Sequence, residues 1–145
     1  MNTTLDEAKK NTKILVVDDS EFSRNAIVGA LTEEGYNVVG EASSFESTLK
    51  VLVNTSCNLC IIDVIMPDAS GIKLAETLIE QSANTHSPIH VIMVSSLMEE
   101  HILIDAISKG ICDFLVKPFN KNDLLKSIEK VSAKIQEDYV NTQSS

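Results

Sequence analysis

The sequence predicts a doubly wound α/β domain: five parallel strands, each followed by a helix. Short aliphatic runs recur five times along the chain. Between them lie longer stretches with apolar residues three and four apart, the period of a helix with one buried face. The strand runs lack polar alternation, which suits strands covered on both faces. Regular alternation of the two signals calls for a parallel sheet with helices on both sides and right-handed crossovers.

In chain order, Lys13-Ile14-Leu15-Val16-Val17 reads as the first strand and ends in Asp18-Asp19-Ser20. Phe22, Ala26, Ile27, Ala30 and Leu31 mark the buried face of the first helix, with Asp19 or Ser20 as its cap and Gly35 as its end. Tyr36 to Ala42 is the second strand. Ser43 or Ser44 opens a helix through Leu49, Leu52 and Val53. Leu59-Cys60-Ile61-Ile62 is the third strand, and Asp63 leaves it. Ser70 caps a helix with Ile72, Ala75, Leu78 and Ile79 inward. Ile89 to Val94 is the fourth strand, followed by Ser95-Ser96. Glu99 to Lys109 is helical, with Ile102, Leu103, Ala106 and Ile107 inward and Gly110 after it. Ile111 to Val116 is the fifth strand, leading into Lys117-Pro118-Phe119. The last helix runs to about Glu137 with Leu124, Leu125, Ile128, Val131 and Ile135 inward. Residues 1–12 form a polar N-terminal extension, 13–137 the domain, and 138–145 a frayed tail.

The chain has 145 residues, enough for one domain with a good core. Its formal net charge of -9 excludes nucleic-acid binding through a basic surface of its own. No apolar run reaches the ~20 residues a membrane-spanning helix needs, and the polar start has no leader-like apolar region. A cytoplasmic location without membrane insertion is the expectation. Cys57 and Cys60 have a C-x2-C spacing, but no second pair matches it. They read as reduced, partly buried small hydrophobes, as does Cys112. His86, His90 and His101 are scattered without ligand spacing.

The chemistry lies in what the strands deliver at their carboxyl ends, the edge where ligands bind in open α/β sheets. On its own stretch, Asp63 reads equally as a loop start or a helix cap. Taken together, however, the first strand supplies Asp18 and Asp19, the third Asp63, the fourth Ser95 and the fifth Lys117. Three crowded carboxylates repel unless a cation joins them, and Mg2+ suits such oxygen donors. Asp63 would then stay ionised as a nucleophile, while Ser95 and Lys117 bind oxygens of an incoming phosphoryl group. Positioning and charge stabilisation are what phosphoryl transfer mainly demands. Ser95 reads equally well as a cap for the helix near Glu99.

Val-Val-Asp-Asp-Ser, Ile-Ile-Asp-Val-Ile-Met-Pro, Val-Ser-Ser and Phe-Leu-Val-Lys-Pro-Phe, in this order and spacing, resemble the receiver domain of two-component response regulators. The resemblance runs from about Lys13 to Glu137. It is to the stand-alone, chemotaxis-regulator-like members, with a flavodoxin-like (βα)5 fold of strand order 2-1-3-4-5. The resemblance implies that Asp63 accepts a phosphoryl group from a histidine kinase or histidine phosphotransfer protein. It implies Mg2+ held by Asp19 directly, by Asp18 mostly through water, by Asp63 and by the backbone carbonyl of Ile65. Lys117 would pair with the phosphoryl group, and Lys117-Pro118 would be cis. Ser95 and Phe114 would be the switch residues, one moving toward the phosphoryl oxygen and the other rotating inward. A downstream protein target would read the last two helices and the fifth strand. The protein would be a signalling switch that promotes its own phosphorylation and dephosphorylation, and not an enzyme.

Asp68-Ala69-Ser70-Gly71 departs from the family pattern, in which a hydrophobic residue and Asp or Asn usually precede the glycine. Ile65 and Leu97 flank the acceptor with apolar side chains. Neither can orient a hydrolytic water, so slow self-dephosphorylation is expected. Other readings stay open at this level. The chain could be the excised receiver of a longer transcription factor or hybrid kinase, although Met1 and the polar tail fit a complete chain better. A Mg2+-dependent phosphatase using Asp63 would typically carry a second acid at the position of Ile65. A flavodoxin-like cofactor binder would need a phosphate loop after the first strand.

Overall fold

The computed structural model describes residues 3–96 and 99–144, with side chains over 6–96 and 99–138. Eleven elements follow one another: α1 (Thr3–Asn11), β1 (Lys13–Val17), α2 (Glu21–Glu33), β2 (Asn37–Ala42), α3 (Phe45–Asn54), β3 (Leu59–Asp63), α4 (Gly71–Ser82), β4 (His90–Ser95), α5 (Glu100–Ser108), β5 (Asp113–Val116) and α6 (Lys121–Ser144). The strands form one parallel sheet in the order β2-β1-β3-β4-β5, as expected.

Alternation along the buried strands splits the core in two. Leu15, Val17, Cys60, Ile62, Val91 and Met93 face α3, α4 and α5, where Leu74, Ala75, Leu78 and Ala106 cover them. Ile14, Val16, Leu59, Ile61, Ile92 and Val94 face α2 and α6, meeting Ile27, Leu31, Leu124 and Ile128. Burying each such large aliphatic side chain contributes about 1.5–3 kcal/mol, which makes the three central strands a rigid support. Three serines cap helices where the chain leaves the sheet edge. Ser20 accepts from the Ser23 amide, Ser44 from the Ser47 amide within a capping box, and Ser70 from the Ile72 amide. Each such cap stabilises by about 1 kcal/mol. Gly35 and Gly110 follow α2 and α5 at φ of 88° and 93°, the left-handed conformation that ends a helix.

Six helices are present where five were expected. Thr3–Asn11, read as a polar extension, is helical, and α6 continues to Ser144 through the stretch read as a frayed tail. The two pack together with little apolar surface. Ala8 and Ile135 are buried, the Asn11 side chain donates to Gln136 Oε1 at 2.7 Å, and Lys9 lies 5.4 Å from the centre of the Tyr36 ring. Asp138, within the expected tail, has Oδ2 3.7 Å from His90 Nε2.

Three helical faces differ from expectation. Phe22 is 87% exposed, and Ala26 is also exposed; the first turn of α2 overhangs a cleft lined by Pro118 and Phe119 instead of the core. In α3 the buried face is Phe45, Thr48, Val51 and Leu52, while Leu49 and Val53 look outward. Thr48 is tolerated in the buried face because its hydroxyl donates to the Ser44 carbonyl at 2.7 Å. In α5 Ala106 is buried but Ile107 is exposed. Leu97 lies outside the described residues.

Candidate functional site

The carboxyl ends of β1, β3 and β5 bring Asp18, Asp63 and Lys117 into contact. Lys117 Nζ donates to Asp18 Oδ2 and to Asp63 Oδ2, both at 2.8 Å. Backbone pairing beyond the strands holds this geometry. The Val64 amide reaches the Val94 carbonyl at 2.9 Å, and the Lys117 amide reaches the Ser95 carbonyl at 2.8 Å. The Lys117-Pro118 peptide is cis.

Asp18 is fully buried and well provided with donors. Oδ1 accepts from the Ser20 amide at 2.9 Å, and Oδ2 accepts from Ser23 Oγ at 2.7 Å as well as from Lys117. Its carbonyl accepts from Arg24 Nη1 at 2.7 Å, and Arg24 also pairs with Glu41. Burial pushes its carboxyl up, but the bonds from Lys117, Ser23 and Ser20 outweigh it and hold the carboxyl below the usual range. Asp63 is held less firmly. The Ile65 amide donates to Oδ1 at 3.0 Å and Lys117 to Oδ2. Burial dominates here and raises its carboxyl above the usual range, with the Asp18 charge adding to the rise. Burial alone would lower the Lys117 ammonium, but bonds to the two carboxylates raise it.

Asp19 stands exposed beside them. One carboxylate oxygen each from Asp18, Asp19 and Asp63 lies within 4.8 Å of the others. Three hard oxygen donors balanced by one ammonium fit a small divalent cation that keeps part of its water shell. Ser95 is fully buried at the end of β4 and pairs in register with Val116. Phe114 pairs with Met93 and is half-buried against the core on the α3–α5 side. Ile65 brings its amide to Asp63 while its side chain is exposed. The C-x2-C cysteines are elsewhere, free and buried; burial pushes Cys57 up to about 11 and Cys60 well above the usual range.

Ser23 and Arg24 were not singled out from sequence. The signal available was their place one helical turn after Asp18-Asp19, where a cap at Ser20 turns the first turn of α2 back over the acids.

Three carboxylates and one lysine thus gather at the carboxyl edge of a doubly wound sheet. Comparison with known proteins makes the class specific. Residues 14–129 match the family model described as the response regulator receiver domain. The chemotaxis protein CheY of Bacillus subtilis is 33% identical over 118 residues, covering 81% of this chain and 95% of that protein. Among solved structures, a CheY-like receiver domain protein from Methanospirillum hungatei superposes with a TM-score of 0.77 at 27% identity, covering 87% of this chain and 96% of that one. The CheX–CheY complex with BeF3 and Mg2+ from Borrelia burgdorferi gives 0.75 at 29%, covering 83% and 88%. The chain belongs to the response regulator receiver domain family, the phospho-accepting switches of two-component signal transduction. No helix among the described residues is long and apolar enough to cross a membrane.

Proposed function

We propose that the protein is a stand-alone receiver in which Asp63 takes a phosphoryl group from a phosphohistidine on a kinase or phosphotransfer protein, with Mg2+ as cofactor. The observation that carries this reading is the single ammonium of Lys117 bridging Asp18 and Asp63 at 2.8 Å, with Asp19 open to solvent beside them. Asp19, Asp63 and the Ile65 carbonyl would hold the ion, with Asp18 acting mostly through water. The ion supplies charge neutralisation and fixes oxygens of the transferring group.

Asp63 Oδ attacks phosphorus, the P–N bond to the donor imidazole breaks, and the imidazole leaves with the bonding pair. The rigid β3 behind Asp63 holds the nucleophile in line. Lys117 gives up its bond to Asp18 and follows the new phosphoryl oxygens, since both carry the charge it neutralises. Asp18 keeps its Ser20 and Ser23 bonds and stays ionised. Ser95 then moves to a phosphoryl oxygen, and Phe114 rotates inward behind it. This biases a two-state surface on α5, β5 and α6 that a downstream protein reads. The borrelial CheY in complex with CheX is a family precedent for a receiver that binds another protein. Such a protein would work in the cytoplasm, where kinase catalytic domains lie.

The test is incubation with a small phosphodonor and Mg2+, followed by intact mass. Wild type should gain one phosphoryl group, and none when chelator is added before the donor; Asp63→Asn should gain none. Equal labelling of both proteins would place the acceptor elsewhere.

A further inference from the structure

The Asp68-Ala69-Ser70-Gly71 stretch, where the chain departs from its family, makes a contact that the phosphoryl chemistry does not use. Asp68 reaches out of the loop between β3 and α4 to the start of α3. Its Oδ1 accepts from the Phe45 amide and its Oδ2 from the Glu46 amide, both at 3.0 Å. These amides begin α3 and have no partner within the helix. The positive end of the helix favours a carboxylate there, and the two bonds hold Asp68 below the usual carboxyl range. Ser44 already serves the Ser47 amide. Asp68 therefore completes a cap that comes from 22 and 23 residues along the chain.

The same loop is tied at its base. Ile65 and Ser70 pair in an isolated antiparallel bridge, and the Gly71 amide donates to the Val64 carbonyl at 2.7 Å. A Cβ on Gly71 would come within 1.9 Å of the Asp63 carbonyl oxygen, so the loop closes directly against the acceptor residue. The base fixes both ends of the loop; Asp68 fixes its tip to a different helix.

We propose that Asp68 is a positioning residue: it latches the loop that carries the Ile65 carbonyl onto α3, and thereby couples Mg2+ binding at the carboxyl edge to the N-terminus of that helix. This rests on the reading of the Ile65 carbonyl as a ligand. A backbone ligand is only as well placed as its loop, and a loop that must be ordered on binding weakens the ion. Coupling is reciprocal, so the ion must tighten the latch as much as the latch favours the ion.

The experiment is calorimetric Mg2+ titration of wild type, Asp68→Ala, Asp68→Asn and Ser44→Ala, with amide hydrogen exchange at Phe45 and Glu46. Ser44→Ala loosens the start of α3 without touching the loop. Wild type should bind Mg2+, and Asp68→Ala should bind about tenfold more weakly, in the range of losses from supporting contacts to a metal ligand. Ser44→Ala should bind as wild type does. Mg2+ should slow exchange of the Phe45 and Glu46 amides in wild type and not in Asp68→Ala. Asp68→Asn, which keeps one acceptor oxygen, should fall between; it carries the test if the alanine variant does not fold. Wild-type affinity in the Asp68 variants, or an equal loss in Ser44→Ala, overturns the latch and leaves the site intact. A wild type that binds no Mg2+ overturns the site itself, and the latch with it.

Discussion

At the carboxyl ends of β1 and β3, Asp18 and Asp63 share one ammonium with Asp19 beside them. At the amino ends of the same strands the polar groups are neutral and matched. Asn58 Oδ1 accepts from the Lys13 amide at 2.8 Å, and its Nδ2 donates to the Asn11 carbonyl at 2.8 Å. Its carbonyl accepts from the His90 amide at 2.9 Å, and Asn11 goes on to Gln136. One edge thus ties α1, β1, β3, β4 and α6 together through hydrogen-bonded amides. The other carries more negative charge than its lysine can answer. Paired amides fix a structure; an unbalanced cluster of acids favours a cation. The same rigid strands serve both ends.

Substitutions at the two edges should therefore fail in different currencies. The largest effect belongs to Lys117→Met. On the proposed reading, removing the ammonium takes away the group that would stabilise the transferring oxyanion, and phosphodonor labelling should slow about 10²–10³-fold. The acids, relieved of their competing cation, should bind Mg2+ more tightly in calorimetry. Loss of both labelling and Mg2+ affinity would break the contrast.

Asn58→Ala should do the reverse. It removes two side-chain hydrogen bonds at the amino edge and should cost about 1–3 kcal/mol in urea unfolding. Its Mg2+ affinity and labelling rate should match wild type.

A finer contrast lies within the carboxyl edge. The Asp18 carboxyl is held below its usual range, so its ionised form stabilises the fold. That contribution is present above an unfolded value of about 3.9 and fades as pH falls through the folded value. Asp63 is raised, so its neutral form is the favoured one. Its contribution is complete below about 3.9 and is lost as pH rises through the folded value. In Mg2+-free urea unfolding, Asp18→Asn should be less stable than wild type at neutral pH and Asp63→Asn more stable. The Asp63 difference should shrink as pH falls to about 3.9, whereas the Asp18 difference should persist to that pH and shrink only below it. Shifts of the same sign would mean that the two acids are not distinguished by their surroundings.

The smallest effect concerns signal lifetime. The exposed Ile65 side chain beside Asp63 offers an attacking water no hydrogen bond. Ile65→Asn should shorten the life of the phosphorylated form several-fold, within the gain expected of one water-orienting group. Equal decay in both proteins would remove Ile65 as a determinant.

The sheet and the site were legible in the sequence for one reason. β1 and β3 are buried on both faces, so Ile14 to Val17 and Leu59 to Ile62 had to be unbroken apolar runs. The acids following them could only emerge at one edge. What was hidden depends on polar contacts across long separations. α1 and the end of α6 meet partly through Asn11 and Gln136, 125 residues apart, a polar contact that apolar periodicity does not show. Thr48 sits in the buried face of α3 with its hydroxyl answered locally, which the apolar spacing does not signal. The spacing of Phe22 suits a buried helix face, yet its side chain is exposed over the cleft lined by Pro118 and Phe119. Asp68 was noticed only as a departure; its partners on α3 could not be read from a loop sequence.

The most direct test of the phosphoryl reading is chemical. A carboxyl phosphate is reduced by borohydride to an alcohol with release of phosphate, converting the acceptor aspartate to homoserine. After phosphodonor and Mg2+ treatment, peptide mass mapping should find homoserine at position 63 and aspartate at 18 and 19. Homoserine at 18 or 19, or a phosphoryl group on a serine or histidine that survives reduction, would contradict it.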